Sequence, residues 1–379
     1  MTKVTASREI KIRNRQSIYT YIRENPLASK QDISFGLRLS LPTVTQNIQY
    51  LVGQGLIEQS STVVKTGGRN ATTFACVENN KVAIGINIMA QQLSAVIVDL
   101  SGDILAVERR KIAYKRGDED YLKALGDIVE SVKKKGKLSD EMLLGVGISV
   151  PSLVSENGET VIYGYTINIT GVTRAELSKY IPYPTVMCHD SAMSGYSEVW
   201  LNHELRSAFY ISINQSVGGV FLSSRDIYTG NSDKAGEVGH LTVVPENGKQ
   251  CYCGRYGCVD TVLQAGNLKD YADGSLEKYF ELLKSGDAGA AKIWQYYLKI
   301  LSLTIYNIRV LFDCDVIIGG DVGGYMEEFM EELYPLVDAR NPFTETDWAR
   351  DYVLPSKYKT EPTAAGAALQ FINEYIESI

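Results

Sequence analysis

Four metal-type ligands placed close together constrain this chain more than any other feature. His240 closes Gly236-Glu237-Val238-Gly239-His240, and three cysteines follow in Cys251-Tyr252-Cys253-Gly254-Arg255-Tyr256-Gly257-Cys258-Val259-Asp260. Three thiolates and one imidazole complete a tetrahedral Zn2+ shell with no open position, the donor set of a structural rather than a catalytic site. Cys-x-Cys is too tight for an easy disulfide, so His240, Cys251, Cys253 and Cys258 point to chelation in a reducing compartment. Any fold the chain adopts has to bring His240 up to a glycine-rich knuckle. The amino terminus, MTKVTASREIKIRNRQ, lacks the apolar core of a secretion signal. No stretch approaches the roughly 18–20 apolar residues of a membrane span. A cytoplasmic protein with no membrane partner is expected.

At 379 residues the chain is too long for one ordinary core, and two or three domains are expected. Its 45% hydrophobic and 22% charged residues are those of a globular protein and argue against disorder, collagen-like repeats and coiled coil. The net charge of -7 conceals an asymmetry. Residues 1–70 hold 10 Lys+Arg against 4 Asp+Glu, a surplus of +6, which leaves -13 on the remainder. A uniform nucleic-acid coat is excluded, but the first fifth of the chain has the charge of a DNA-binding head.

Within that head, Ile18, Tyr19 and Ile22 share one face of a helix over residues 15–24. Ser29 is an N-cap for a short second helix that carries Ile33 and ends near Gly36. Ser40 is the N-cap of a third, with Pro42 in its first turn. Val44, Ile48, Leu51 and Val52 form the apolar face of that helix, whereas Thr43, Thr45, Gln46, Asn47 and Gln49 form a polar face. Short hydroxyls and amides there can meet phosphates and base edges in a major groove. Strands are expected at 62–65 and 72–77, joined through Thr66-Gly67-Gly68-Arg69-Asn70, with Lys65 and Arg69 at the hairpin tip. The pattern is a winged helix-turn-helix; a small helical adaptor that pairs with protein is the plainer alternative. Arg8, Lys11 and Arg13 read equally as a phosphate-contacting arm or a solvated tail.

From Lys81 the pattern changes to strands at 82–87, 94–100 and 104–110, a helix at 121–135 and a strand at 144–150. A comparable order restarts at 208–213, 218–223 and 227–228, followed by helices near 282–312, a strand at 316–318 and a closing helix at 364–376. Two similar α/β lobes in tandem suggest an internal duplication with a ligand cleft between them. The expected division is a head over 1–78, a first lobe over 79–200 and a second over 201–379 with the zinc knuckle.

With its winged head, the Thr66-Gly67-Gly68-Arg69 tip, Glu-x-Gly-His at 237–240, Cys-x-Cys-Gly-x-x-Gly-Cys at 251–258 and Ile318-Gly319-Gly320-Asp321, the chain resembles the ROK family of repressors, open reading frames and sugar kinases. The resemblance covers essentially the whole chain. It implies a duplicated, RNase H-like body of the hexokinase/actin type that binds a sugar between its lobes. By the same resemblance Glu237 and His240 contact sugar, Asp260 stands where the family has Glu, and Asp190 holds the position of the kinase base. His189 departs from the family's Asn-Asp, and Asn168 matches the family's Asn before an altered turn. Family members with a winged head are sugar-tuned repressors. The implied partners are double-stranded operator DNA and a sugar, and the implied assembly is a homodimer or homotetramer.

A ROK kinase carries Asp-x-Gly-Gly-Thr after the first strand of its body. Here that run is Asn87-Ile88-Met89-Ala90-Gln91. Side chains replace both glycines where backbone has to approach phosphate, so no catalytic residue is assigned. The second phosphate-type run, Asn214-Gln215-Ser216-Val217-Gly218-Gly219, keeps two glycines. The expectation is a non-catalytic, sugar-responsive transcriptional regulator, with a ROK sugar kinase as the alternative.

Overall fold

A helix longer than the sequence pattern suggests opens the chain. In the computed structural model, which describes residues 3–60, 72–164, 166–202, 205–223, 226–231, 234–343 and 348–379, α1 spans Lys3–Glu24. After β1 (Ala28–Ser29), Ser29 caps α2 (Lys30–Leu37). Its hydroxyl accepts the Asp32 N–H, and its own N–H donates to the Asp32 carboxylate at 2.8 Å, a reciprocal capping box. Ser40 caps α3 (Leu41–Gly53), with Pro42 in the first turn where no N–H is needed.

Val44, Ile48 and Leu51 are buried, but Val52 is 41% exposed, because it lies one residue off the 3.6-residue stripe the other three define. Two further strands, β2 (Ile57–Gln59) and β3 (Thr73–Cys76), pair antiparallel and complete a sheet in the order β1-β3-β2. The strand expected at 62–65 and the tip with Lys65 and Arg69 lie outside the described residues.

The body repeats one topology twice. Strands β4 (Val82–Ile88), β5 (Leu93–Asp99) and β6 (Ile104–Arg110) form an antiparallel meander. After α4 (Glu119–Lys135), β7 (Leu143–Val150) joins β4 in parallel. The short pair β8 (Leu153–Val154) and β9 (Val161–Tyr163) and the turn of helix α5 (Arg174–Leu177) lead to β10 (Thr185–His189), parallel to β7. The sheet order is β10-β7-β4-β5-β6.

After α6 (Asp190–Leu201) the pattern restarts with the meander β11 (Ser207–Ile213), β12 (Val217–Ser223) and β13 (Asp226–Tyr228). Four helices follow, α7 (Asp260–Leu263), α8 (Gly266–Lys269), α9 (Leu276–Lys284) and α10 (Ala288–Phe312). Then β14 (Asp315–Gly319) adds in parallel to β11. Beyond α11 (Gly320–Met326), α12 (Met330–Asp338) and α13 (Ala349–Tyr352), β15 (Val353–Pro355) gives the order β13-β12-β11-β14-β15. Each sheet is an antiparallel meander followed by two parallel strands, as an internal duplication predicts.

The closing helix α14 (Pro362–Ser378) departs from the expected division. It packs on β4, β5 and β7 of the first sheet and on α6, so residues 362–379 belong structurally with the first lobe rather than the second. Small residues cause this. A Cβ at Gly85 on β4 would stand 1.7 Å from the Ala364 carbonyl oxygen, and Ala364, Ala365, Ala367 and Ala368 are all buried. The head is not separate from this lobe: Ile18, Ile22 and Phe74 share one hydrophobic cluster with Leu100, Trp200, Ala365 and Ile372. No helix among the described residues is long and apolar enough to cross a membrane.

Candidate metal centre and ligand site

His240 ends a single 3-10 turn, Val238–His240, and the knuckle folds back to it through antiparallel bridges between Thr242 and Cys258 and between Gln250 and Tyr256. The turn is tight because Gly257, at φ 72°, has no side chain: a Cβ there would lie 1.8 Å from the Val244 carbonyl oxygen. The Gly257 carbonyl accepts both Val243 N–H and Val244 N–H, which locks the knuckle's base.

The donor atoms of His240, Cys251, Cys253 and Cys258 all lie within 4.8 Å of one another. Cys253 and Cys258 sulfurs are 3.8 Å apart, and Cys251 Sγ is 3.7 Å from His240 Nδ1. A tetrahedral ion with bonds of roughly 2.3 Å to sulfur has sulfur–sulfur edges of about 3.8 Å, so the spacing fits zinc. It does not fit a disulfide, which requires roughly 2.05 Å. Burial pushes the Cys258 thiol up to about 12 and raises Cys251 as well, whereas the backbone N–H of Arg255 holds exposed Cys253 below the usual thiol range. A cation at the centre of the group would favour the thiolate forms of these sulfurs.

The imidazole has two distinct faces. Nδ1 is turned to Cys251, while Nε2 faces the Tyr252 hydroxyl at 3.1 Å and Glu237 Oε2 at 4.0 Å. Asp260, 4% exposed at the start of α7, accepts the Val217 N–H at 2.7 Å. Burial pushes its carboxyl up, against the pull of that N–H and of His240. One residue along β12, a Cβ at Gly218 would meet Ser191 Oγ at 2.6 Å, which places the start of α6 beside the same segment. His189 Nε2 is 3.2 Å from Asp190 Oδ1 there, and that oxygen also accepts the Ser191 N–H at 2.6 Å. The start of β12 thus lies between His189 and Asp190 on one side and Asp260, His240 and Glu237 on the other.

Asn168 stands apart. It sits in an exposed turn with a left-handed backbone, φ 54°, and no described hydrogen bond or ion pair joins it to this group. Tyr252 is the residue the sequence reading missed. The available signal was a large aromatic side chain between two metal ligands.

In the head, Gln46 and Gln49 are exposed and Thr43 and Thr45 half-buried, with the Thr43 hydroxyl tied to Ser40 at 2.8 Å. Asn47 is a correction. It is 6% exposed and donates to the Thr43 carbonyl at 2.7 Å, because its short amide reaches the backbone one turn back. The second phosphate-type run is a hairpin turn, in which Asn214 Nδ2 donates to Ser212 Oγ and Asn214 Oδ1 accepts the Asp321 N–H at the start of α11.

Two sheets of equal topology, with a polar group gathered where the second meander turns, define an α/β body with a candidate ligand site. The chain belongs to the ROK family, whose model matches residues 83–374. It is similar to the DNA-binding transcriptional dual regulator NagC of Escherichia coli K12, at 22% identity over 87% of this chain and 84% of that protein. It is also similar to a xylose repressor of Caldicellulosiruptor bescii, at 21% identity over 86% of this chain and 88% of the relative. In fold it matches the crystal structure of a ROK family transcriptional regulator described as a homologue of the E. coli MLC protein. The TM-score is 0.72 at 21% identity, over 98% of this chain and 97% of that one.

Proposed function

We propose that the chain is a sugar-responsive DNA-binding transcriptional regulator, a repressor of carbohydrate-utilisation genes without catalytic turnover. The observation that carries this reading is the head: two capped helices, Lys30–Leu37 and Leu41–Gly53, with antiparallel strands, joined to a ROK body over a chain length shared with repressors. In this reading the head is a winged helix-turn-helix. Thr43, Thr45, Gln46 and Gln49 of α3 enter the major groove, and Lys65 and Arg69 supply wing contacts. Buried Asn47 supports the helix instead of touching DNA.

The body contributes the sensor. Glu237, His240, Asp260 and Asp190 offer acceptors and one imidazole face to neighbouring sugar hydroxyls, with His189 beside them and Asn168 brought in from its turn. His240, Cys251, Cys253 and Cys258 would hold zinc, which when bound supplies a rigid structural anchor for the imidazole. Absence of turnover is supported by Met89 and Gln91 in the β4–β5 turn and by Asn214, which occupies the backbone N–H at the start of α11. Homodimers or homotetramers would present paired heads to paired half-sites.

The test is a mobility shift on operator-length DNA, with and without xylose, N-acetylglucosamine or glucose, alongside an ATP-coupled phosphorylation assay. Operator binding that a sugar alters supports the reading. Phosphorylation at about 1 s⁻¹ or faster, or no DNA binding at low salt, would replace it with a ROK kinase or a protein-interaction module respectively.

A further inference from the structure

Tyr252 is poorly explained as a packing residue. Its side chain is 71% exposed, yet its hydroxyl is engaged: Oη lies 3.1 Å from His240 Nε2, with the two rings edge-on at 66° and their centroids 5.1 Å apart. Backbone on both sides is pinned, because Cys251 and Cys253 converge on the ligand group. The hydroxyl therefore stands among the residues assigned to sugar. Glu237 Oε2 is 4.0 Å from the same nitrogen.

The direction of the hydrogen bond follows from the ring. Nδ1 faces the cysteines. When Nδ1 is a metal ligand its lone pair is committed, so the ring proton is on Nε2 and the Tyr252 oxygen accepts it. The phenol's own proton is then free to be donated. A sugar hydroxyl in this place would do the same two things, accepting from Nε2–H and donating to the Glu237 carboxylate.

We infer that the Tyr252 hydroxyl is a placeholder for a ligand hydroxyl on His240 Nε2, an internal competitor that a sugar displaces when it binds. The inference rests on the sugar reading above and adds a selection rule to it. Exchange of one hydroxyl for another leaves the hydrogen-bond inventory unchanged, and an exposed ring can swing out without opening a cavity. A ligand that lacks a hydroxyl able to accept and donate at that position would displace Tyr252 without replacing its hydrogen bond to Nε2–H, and would bind more weakly for it. The chemical class is a polyol with a free hydroxyl at the imidazole.

The experiment is calorimetric titration of the full-length, zinc-loaded protein with xylose, N-acetylglucosamine and glucose, for the wild type and for Tyr252→Phe, with zinc content measured on the same samples. Removing the competing hydroxyl should tighten binding of the cognate sugar about fivefold, the worth of one neutral hydrogen bond, at unchanged zinc stoichiometry. A merely structural role cannot produce a gain in affinity. If the wild type binds a sugar and Tyr252→Phe binds it equally well, the placeholder is wrong and the sugar site stands. Weaker binding would make Tyr252 a direct sugar contact and overturn the placeholder too. No heat from any of the three sugars in either protein would overturn the placeholder together with the sugar reading.

Discussion

Cys253 is the exposed member of the ligand group, so its replacement tests the metal without leaving a cavity in the core. Cys253→Ser should release zinc, read as a fall in zinc per chain, and should weaken the sugar response in the same samples, because in the proposed reading His240 holds zinc through Nδ1, which faces Cys251, and sugar through Nε2, which faces Tyr252. An intact sugar response in metal-free protein would separate the sites. Asp260 tests the neighbouring carboxylate through pH. Its carboxyl is raised by burial above the ordinary value near 3.8, so the folded state holds its proton to higher pH than the unfolded chain does. The stability it contributes is therefore complete below about pH 4 and is lost as pH rises through the folded value. Asp260→Asn keeps an acceptor for the Val217 N–H and removes the titration. Its melting temperature should exceed that of the wild type at neutral pH, with the gap closing toward pH 4. A gap that widens on acidification would sink this account.

Among the elements, those specified locally were legible in advance, and those specified by distant partners were not. Ser29 and Ser40 announce their helices because a hydroxyl at an N-cap satisfies an N–H three residues on, and the structure shows both bonds. The convergence of His240, Cys251, Cys253 and Cys258 was legible for a similar reason, since the four donors lie within one short stretch of chain. Asn47 and Val52 were misplaced because a one-residue phase error on a helix turns a side chain through about 100°. The placement of α14 was out of reach. Its apolar face suits either sheet, and the decision lies in Gly85, almost three hundred residues earlier in the sequence. Gly85→Ala should thus cost about 1–3 kcal/mol, because the Ala364 carbonyl has to move away from the new methyl. Urea denaturation would measure the loss, and an unchanged midpoint would show that α14 is not seated against β4.

At the scale of the whole molecule, one helix joins the proposed sensor to the proposed reader. α6 begins at Asp190, beside the ligand group, and ends past Trp200, which lies in the hydrophobic cluster shared by head and first lobe. Its 12 residues make a rod about 18 Å long at roughly 1.5 Å per residue. At the far end the Arg23 guanidinium of α1 lies 5.2 Å from the Trp200 ring centroid. A shift of the α6 start on sugar binding would reach α1 without passing through a flexible linker, and α14, packed on both α6 and α1, would move with it. The two heads of an oligomer would then change their spacing relative to paired half-sites. Arg23→Gln removes the cation and keeps a polar, though shorter, side chain, weakening the joint by about 1 kcal/mol. Sugar affinity by calorimetry should stay within twofold of the wild type, because α1 is remote from the ligand group. The sugar-induced change in operator affinity should shrink by up to about fivefold, the same energy expressed as a ratio. A variant whose operator affinity responds to sugar as fully as the wild type would mean that the signal bypasses the contact between α6 and α1.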